Sequence, residues 1–305
     1  MKRMLPASFG GALALLALAA ATPAPAAESP AYAAYAQGRY LTARKLAETE
    51  AAQGSKEAYT LLGEIYEGGL GVARDYKKAA DAYAKGAELG DVNSQFALAT
   101  LIVDGLGADK DLERAADLFE KAAASGHVEA QYDLALIYLD GRGRSADDKK
   151  AAEWMQKAAE QGLSSAQYDL GGFYQFGRGV PIDKKKAAEW TGKAAEAGLA
   201  DAQTEFAVML FKGEGIAVDE GRGAKMFRKA AEAGNPVAQN RLARLYANGV
   251  GVKEDPVEAA KWHLIAREAG VSDFTLDLML AKLKPEERAA AEKGAANWRD
   301  EHFAE

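Results

Sequence analysis

The sequence repeats itself every 36 residues, six times in succession and without a gap. Each block has a Gly-x-Gly in its middle, an aspartate four residues after the second glycine, and a glycine at its end. A fixed period of this length is typical of an array of stacked units, in which each unit contacts mainly its neighbours. The blocks are residues 55–90, 91–126, 127–162, 163–198, 199–234 and 235–270.

One block reads as a pair of helices. Its first half carries apolar residues at helical spacing, as in Ala130, Leu134, Ile137 and Tyr138. The first glycine of the pair ends this helix, because glycine adopts the left-handed conformation at little cost. The repeated aspartate, such as Asp147, begins the second helix by accepting its free backbone N–H groups. The sequence therefore predicts an all-α fold of stacked helical hairpins.

The pattern of each block resembles a known repeat. In the fourth block the matching residues are Ala166-Gln167-Tyr168-Asp169-Leu170-Gly171-Gly172-Phe173-Tyr174, Gly177-x-Gly179-Val180, Asp183, Lys186-Ala187-Ala188-Glu189-Trp190 and Lys193-Ala194-Ala195-x-x-Gly198. With these residues, the chain over 55–270 closely resembles the Sel1-like repeat, a relative of the tetratricopeptide repeat. This resemblance implies a right-handed α/α superhelical solenoid.

The segments on either side of the repeats are predicted to cap the solenoid. Residues 27–54 read as N-terminal capping helices, a degenerate half repeat. Residues 271–305 read as C-terminal capping helices. Apolar residues such as Phe274 and Leu278 indicate a short helix there, and a charged final helix follows it. Polar outer helices keep the ends of a stacked array soluble.

The first residues have the features of a signal peptide. Lys2 and Arg3 precede an uncharged stretch at residues 10–21, and Ala24 and Ala26 fit the small-x-small pattern of a cleavage site. The apolar stretch is shorter than the roughly 20 residues that a membrane span needs. An uncleaved anchor or a disordered tail is the alternative interpretation of this segment. The sequence predicts a periplasmic protein, with secretion from the cell as the alternative location.

Cleavage of residues 1–26, near Ala26 and Ala27, leaves an acidic chain. It carries 36 basic and 45 acidic residues, a net charge of −9. This charge opposes phosphate backbones and anionic lipids, so no nucleic acid partner and no stable membrane insertion are expected. The chain has no cysteine, which excludes disulfides, thiolate nucleophiles and cysteine-bound zinc.

No motif in the chain indicates catalysis. The Gly-x-Gly pairs lack the third glycine of a dinucleotide site and the Gly-Lys-Ser/Thr of a phosphate loop, so they are interpreted as turns. The repeated aspartates lie a full block apart and are better explained as helix caps than as metal ligands. The three histidines, His127, His263 and His302, do not have zinc-ligand spacing. We predict no catalytic residue, no cofactor and no metal.

A candidate binding surface lies on the first helices, at block positions six, ten and thirteen. By resemblance to the tetratricopeptide superhelix, this stripe faces the concave side. Aromatic and aliphatic residues of this kind serve as anchors for a partner. Burial against the neighbouring repeat is the alternative for each of them. The predicted residues are Phe96, Val103, Tyr132, Leu136, Leu139, Tyr168, Val208 and Phe211, joined by Phe176 one position further along.

The sequence thus favours a non-enzymatic scaffold or adaptor that binds a protein or peptide partner in the cell envelope, with the chain itself expected to be a monomer. The family resemblance implies adaptor roles, including restraint of envelope signalling proteins. Two alternatives stay open. One is a hydrolase acting on β-lactams or cell-wall glycan, an activity ascribed to cysteine-rich relatives of the repeat. The other is a purely structural organiser of an envelope complex.

Overall fold

The structure is a computed structural model that describes residues 29–303, and in this part of the chain every regular element is a helix. The predicted signal peptide and its cleavage site lie outside the described residues. The sixteen helices of the described part are α1 Pro30–Ala36, α2 Tyr40–Ala52, α3 Lys56–Gly68, α4 Tyr76–Glu88, α5 Val92–Asp104, α6 Leu112–Ala124, α7 Val128–Asp140, α8 Asp148–Glu160, α9 Ser164–Phe176, α10 Lys184–Glu196, α11 Ala200–Lys212, α12 Glu220–Glu232, α13 Pro236–Asn248, α14 Pro256–Glu268, α15 Phe274–Lys282 and α16 Pro285–Phe303.

Each 36-residue block forms one pair of helices, from α3 and α4 to α13 and α14, as predicted. Within a pair the first helix packs against the second, and the second packs against the first helix of the next block. The result is an all-α repeat solenoid with a core that runs from one repeat into the next. We refer to the odd-numbered helices α3 to α13 as first helices and to the even-numbered helices α4 to α14 as second helices.

The predicted helix ends are confirmed in the structure. Gly141 has φ of 70° and ψ of 31°, and its N–H donates to the carbonyl of Ile137 at the end of α7. The side chain of Asp147 accepts hydrogen bonds from the backbone N–H groups of Lys149 and Lys150 at the start of α8. The equivalent glycine and aspartate act in the same way in the other five repeats.

The second glycine of each Gly-x-Gly also makes a close contact with the preceding repeat, which the sequence did not show. Gly179 has φ of +66°, and a Cβ atom there would lie 1.9 Å from the carbonyl oxygen of Asp148, in the preceding repeat. Only glycine allows the loop to approach the neighbouring helix this closely. The same backbone contact recurs in four other repeats, at Gly107, Gly143, Gly215 and Gly251.

A column of buried glutamines also joins consecutive repeats. The side-chain amide of Gln167 on α9 donates to the carbonyl of Ala159 at the end of α8, at 3.1 Å. This bond satisfies a carbonyl group that the helix itself leaves free near its C-terminus. The sequence signal was a glutamine at the fifth position of five blocks. The other three such bonds are Gln131 to Ala123, Gln203 to Ala195 and Gln239 to Ala231.

The C-terminal helices do not form a hairpin like those of the repeats. Helix α16 packs along α14, where the Trp298 ring meets the Trp262 ring edge-on at 6.1 Å. Helix α15 buries Leu276 and Leu280. On its other side Phe274 is 75% exposed, because α16 packs on α14 and leaves that side uncovered.

We predict that the second glycine is essential to stacking. Gly179→Ala should lower the urea midpoint of unfolding more than Gly162→Ala. Both positions have positive φ, which costs a side chain about 1–2 kcal/mol, but a Cβ at position 162 meets nothing within 4 Å. Circular dichroism during urea titration would measure the unfolding midpoints of the two variants. Equal losses would show that the contact at Gly179 contributes nothing.

Candidate partner-binding surface

The first helices expose one side to solvent, and this side is the candidate surface. Block positions four, eight, eleven and twelve of each first helix point into the core, as Ala166, Leu170, Phe173 and Tyr174 do on α9. Positions three, six, seven, ten, thirteen and fourteen lie on the opposite side, because a helix turns by about 100° per residue. On α3 the residues at positions six and seven, Thr60 and Leu61, are buried. We call this side, from α3 to α11, the first-helix face.

Contacts between first helices bear on the predicted concave position of the first-helix face. Within the six repeats, the most extensive contact between helices two apart in the chain is the one between the first helices α3 and α5. Repeats that stack along a curve are closest together on its inside. This contact therefore favours the predicted concave position of the face.

All nine predicted residues lie on the first-helix face. Eight of them are half-buried, and Phe176 is 77% exposed at the end of α9. The face is therefore neither fully covered by neighbouring repeats nor fully open. Whether these residues contact a partner stays a prediction.

Two of the nine residues are partly used for packing between helices. The Phe96 ring stacks on the His127 ring at 4.4 Å and meets the Phe119 ring edge-on. Phe211 stacks on Phe227 at 5.9 Å and lies over Gly223, where a Cβ would come within 2.7 Å of its ring. Phe96 and Phe211 therefore fit the alternative interpretation, in which the residue is buried against a neighbouring helix.

Carboxylates accompany the apolar residues on this face. The Tyr132 hydroxyl donates to Asp169 Oδ2 at 2.9 Å and joins α7 to α9. Burial raises the pKa of the Asp169 carboxyl, and the hydrogen bond from Tyr132 lowers it in part. On α3, the Tyr83 hydroxyl from α4 donates to Glu67 Oε2 at 2.7 Å. The structure therefore places acidic groups directly beside the apolar stripe.

Some carboxyl groups on the first-helix face are desolvated and lack a cationic neighbour. Burial raises the pKa of Asp133 on α7 to about 7, and the carboxylate of Glu129 raises it further. Burial also raises the pKa of Glu64 on α3 to about 7, with a further contribution from Glu67. The helical periodicity of the sequence does not reveal that these groups are desolvated. The available signal was an acid at position seven of three consecutive blocks, namely Asp133, Asp169 and Glu205.

The three histidines lie apart from one another. His127 Nδ1 accepts from the backbone N–H of Ala130 and caps α7, and burial lowers its pKa. His263 is fully buried and its Nε2 lies 2.8 Å from Asp277 Oδ1. Between residues 29 and 303 no group of three or more His, Asp or Glu side chains is arranged to hold a metal ion. In the same range no helix combines the length and apolar character that crossing a membrane requires.

The repeats also match a known family along the whole array. The Sel1 repeat pattern fits six consecutive segments, each one residue later than the blocks defined above, namely 56–91, 92–127, 128–163, 164–199, 200–235 and 236–271. The chain belongs to the Sel1 repeat family. Proteins of this family are generally non-catalytic scaffolds for protein–protein interaction. No curated protein matches the chain.

Two solved structures are similar to this Sel1 repeat protein. A Sel1 repeat protein from Oxalobacter formigenes is 30% identical with a TM-score of 0.70, and the match covers 78% of this chain and 98% of the other. The protective antigen c5321 from uropathogenic Escherichia coli, described as displaying an SLR fold, is 30% identical with a TM-score of 0.54. That match covers 86% of this chain and 64% of the antigen.

The raised pKa of Asp133 predicts a pH-dependent stability. The folded carboxyl holds its proton up to about pH 7, whereas the unfolded one loses it near its ordinary value of 3.8. Stability is therefore lost as pH rises through this range, since the unfolded state binds fewer protons. Asp133→Asn removes this loss, so relative to wild type it should gain about 2–3 kcal/mol between pH 5 and pH 8.

Urea unfolding at the two pH values measures this gain. The matched control is Glu153→Gln, an exposed acid on α8 in the same repeat. Its stability relative to wild type should not change between the two pH values. An Asp133→Asn gain no larger than that of the control would contradict the desolvated position of Asp133.

Proposed function

We propose that this Sel1 repeat protein is a non-enzymatic adaptor that binds a protein or peptide partner on its first-helix face. The observation that carries the proposal is the half-buried aromatic and aliphatic stripe that crosses α5, α7, α9 and α11. Monomeric proteins rarely expose a continuous apolar patch of this kind unless it contacts another molecule. The second helices, by contrast, present mainly charged residues to solvent.

The shape and composition of the face support a peptide segment or small domain as the ligand. Its centre holds Tyr132, Leu136 and Leu139 on α7 and Tyr168 on α9, which lie between Phe96 on α5 and Phe211 on α11. Half-buried anchors of this kind are held by their neighbours and lose little conformational freedom on binding. Such rigid apolar anchors carry most of the affinity in protein interfaces.

The location of this activity is proposed from the first residues. Residues 1–26 have the basic, apolar and small-residue regions of a cleavable signal peptide. We therefore place the adaptor in the periplasm, where its partner belongs to an envelope signalling or assembly complex. The absence of cysteine means that its fold does not depend on the redox state of that compartment.

Photo-crosslinking in the native host tests the binding surface. A photoreactive amino acid at Gln175, on the first-helix face, should trap a discrete partner, which mass spectrometry identifies. The same amino acid at Glu153, on the second helix α8, is the control position and should trap none. A partner trapped only from position 153 would place the binding surface elsewhere and overturn the proposal.

Once the partner is identified, the contribution of Phe176 to its binding affinity can be tested. Phe176→Ala should weaken its binding about tenfold, as expected for an exposed aromatic anchor. Phe274→Ala is the matched control, since Phe274 is equally exposed but lies on α15 beyond the repeats. Isothermal titration calorimetry would measure the affinity of each variant for the partner. An unchanged affinity for Phe176→Ala, or an equal loss in both variants, would exclude Phe176 from the binding site.

The N-terminus of the mature protein tests the proposed export. The purified periplasmic fraction should contain the chain with an N-terminus near Ala27, because Ala24 and Ala26 precede the expected cleavage point. N-terminal sequencing measures it. A protein that keeps Met1 and stays in the cytoplasm would overturn the proposed location. The proposal for the binding surface would not be affected.

A further inference from the structure

Charge is distributed unequally between the two layers of the solenoid. In the first five repeats the first helices, α3 to α11, hold ten acidic residues and two lysines. The paired second helices, α4 to α12, hold sixteen basic and twelve acidic residues. The helices α5, α7 and α9 contain no lysine, arginine or histidine. The first-helix face is therefore acidic, although the second helices, which pack on the opposite side of the first helices, are slightly basic.

The two layers also differ in how their acids are neutralised. In the described part of the chain, five of the twelve acids on the second helices α4 to α12 form salt bridges with lysine or arginine in the same or the next repeat. Of the ten acids on the first helices α3 to α11 in that part, only Asp140 does, with Arg142. In residues 29–303 no salt bridge joins Asp133, Asp169 or Glu205 of the first-helix face to a lysine or arginine. The second-helix pairs include Asp117 with Arg144, Asp148 with Arg178, Glu189 with Lys193 and Glu196 with Arg222.

Two of these three acids, Asp133 and Asp169, lie beside Tyr132. Asp169 is fixed by the Tyr132 hydroxyl, and Asp133 follows Tyr132 on the same helix. A carboxylate that is partly desolvated and lacks a cation is unfavourable, so a cation brought to it is bound more strongly than at an exposed acid. Lysine and arginine also have long apolar stems that can lie along the apolar stripe while their charged ends reach the carboxylates.

We propose that the partner segment on the first-helix face is cationic, with lysine or arginine side chains that pair with Asp133, Asp169 and Glu205. This inference rests on the proposed function and names the chemistry of its partner. The three acids occupy the same position on α7, α9 and α11, in consecutive repeats. The reversal of charge on α13, which carries Arg241 and Arg244, limits the cationic segment at the sixth repeat.

The spacing of the repeats predicts the spacing of the cations. First helices of consecutive repeats lie on the order of 10 Å apart, because both pack on the second helix between them and the Tyr132 hydroxyl on α7 reaches Asp169 on α9. An extended peptide advances about 3.3 Å per residue, so roughly three residues span one repeat. A segment that runs along the face in extended form therefore places a basic residue opposite each acid when every third residue is lysine or arginine, with apolar residues between them.

Synthetic peptides test the charge directly. The probe is a fluorescein-labelled 15-residue peptide of arginine, leucine and serine with arginine at every third position. Its counterpart has glutamate in place of each arginine. Fluorescence anisotropy with the purified protein at pH 8, above the pKa of about 7 of the Asp133 carboxyl, should show binding of the arginine peptide alone. Raising the salt concentration to about 0.3 M should weaken this binding, because charge pairs at a surface are screened.

Matched double variants assign the binding to the proposed acids. Asp133→Asn with Asp169→Asn should weaken binding of the arginine peptide about tenfold, since two charge pairs are lost. Glu153→Gln with Glu160→Gln removes the same charge from α8, on the other layer, and should leave the affinity unchanged. Circular dichroism confirms that both variants are folded. Equal effects of the two double variants would show that binding depends only on the net charge of the protein, and would overturn the inference.

The remaining outcomes separate this inference from the function on which it rests. An equal or higher affinity for the glutamate peptide would overturn the cationic partner. A partner trapped from position 175 whose bound segment has no basic residues would do the same, and the first-helix face would remain the binding surface. A partner trapped only from position 153 would overturn the binding surface itself.

Discussion

Contact between one repeat and the next is the constraint on which the whole structure depends. A single helix pair cannot cover its own apolar residues, so each first helix packs on the second helix of the repeat before it. The loop at Gly179 touches the backbone at Asp148, and Gln167 bonds to the carbonyl of Ala159. Both contacts join successive repeats and recur along the array, so the repeats stack with a constant spacing.

This regular stack leaves the other side of the first helices free to vary. Core positions keep alanine and leucine, whereas positions on the first-helix face differ from one repeat to the next. Where a large side chain on the face turns inward, its neighbour adapts, as Gly223 does beneath Phe211. The solenoid is therefore a constant support for a variable surface. This property suits the scaffold role that is general in the Sel1 family.

The candidate site was only partly predictable from the sequence. Helical periodicity places Tyr132 and Leu139 on the exposed side of α7, and the structure agrees. Periodicity does not show that the Tyr132 hydroxyl reaches Asp169, because the two residues belong to different repeats. Nor does it show that burial raises the pKa of Asp133, since desolvation depends on all the side chains packed around the carboxyl.

The sequence by itself determined where helices begin and end, and that they stack. Glycine at position 141 and aspartate at position 147 act on backbone groups a few residues away, so their effect can be read locally. Only the tertiary structure decided that Phe96 packs on His127, and that α16 lies on α14 and leaves Phe274 exposed. These outcomes depend on the fit between side chains about 30 residues apart, for which no local pattern in the chain carries a signal.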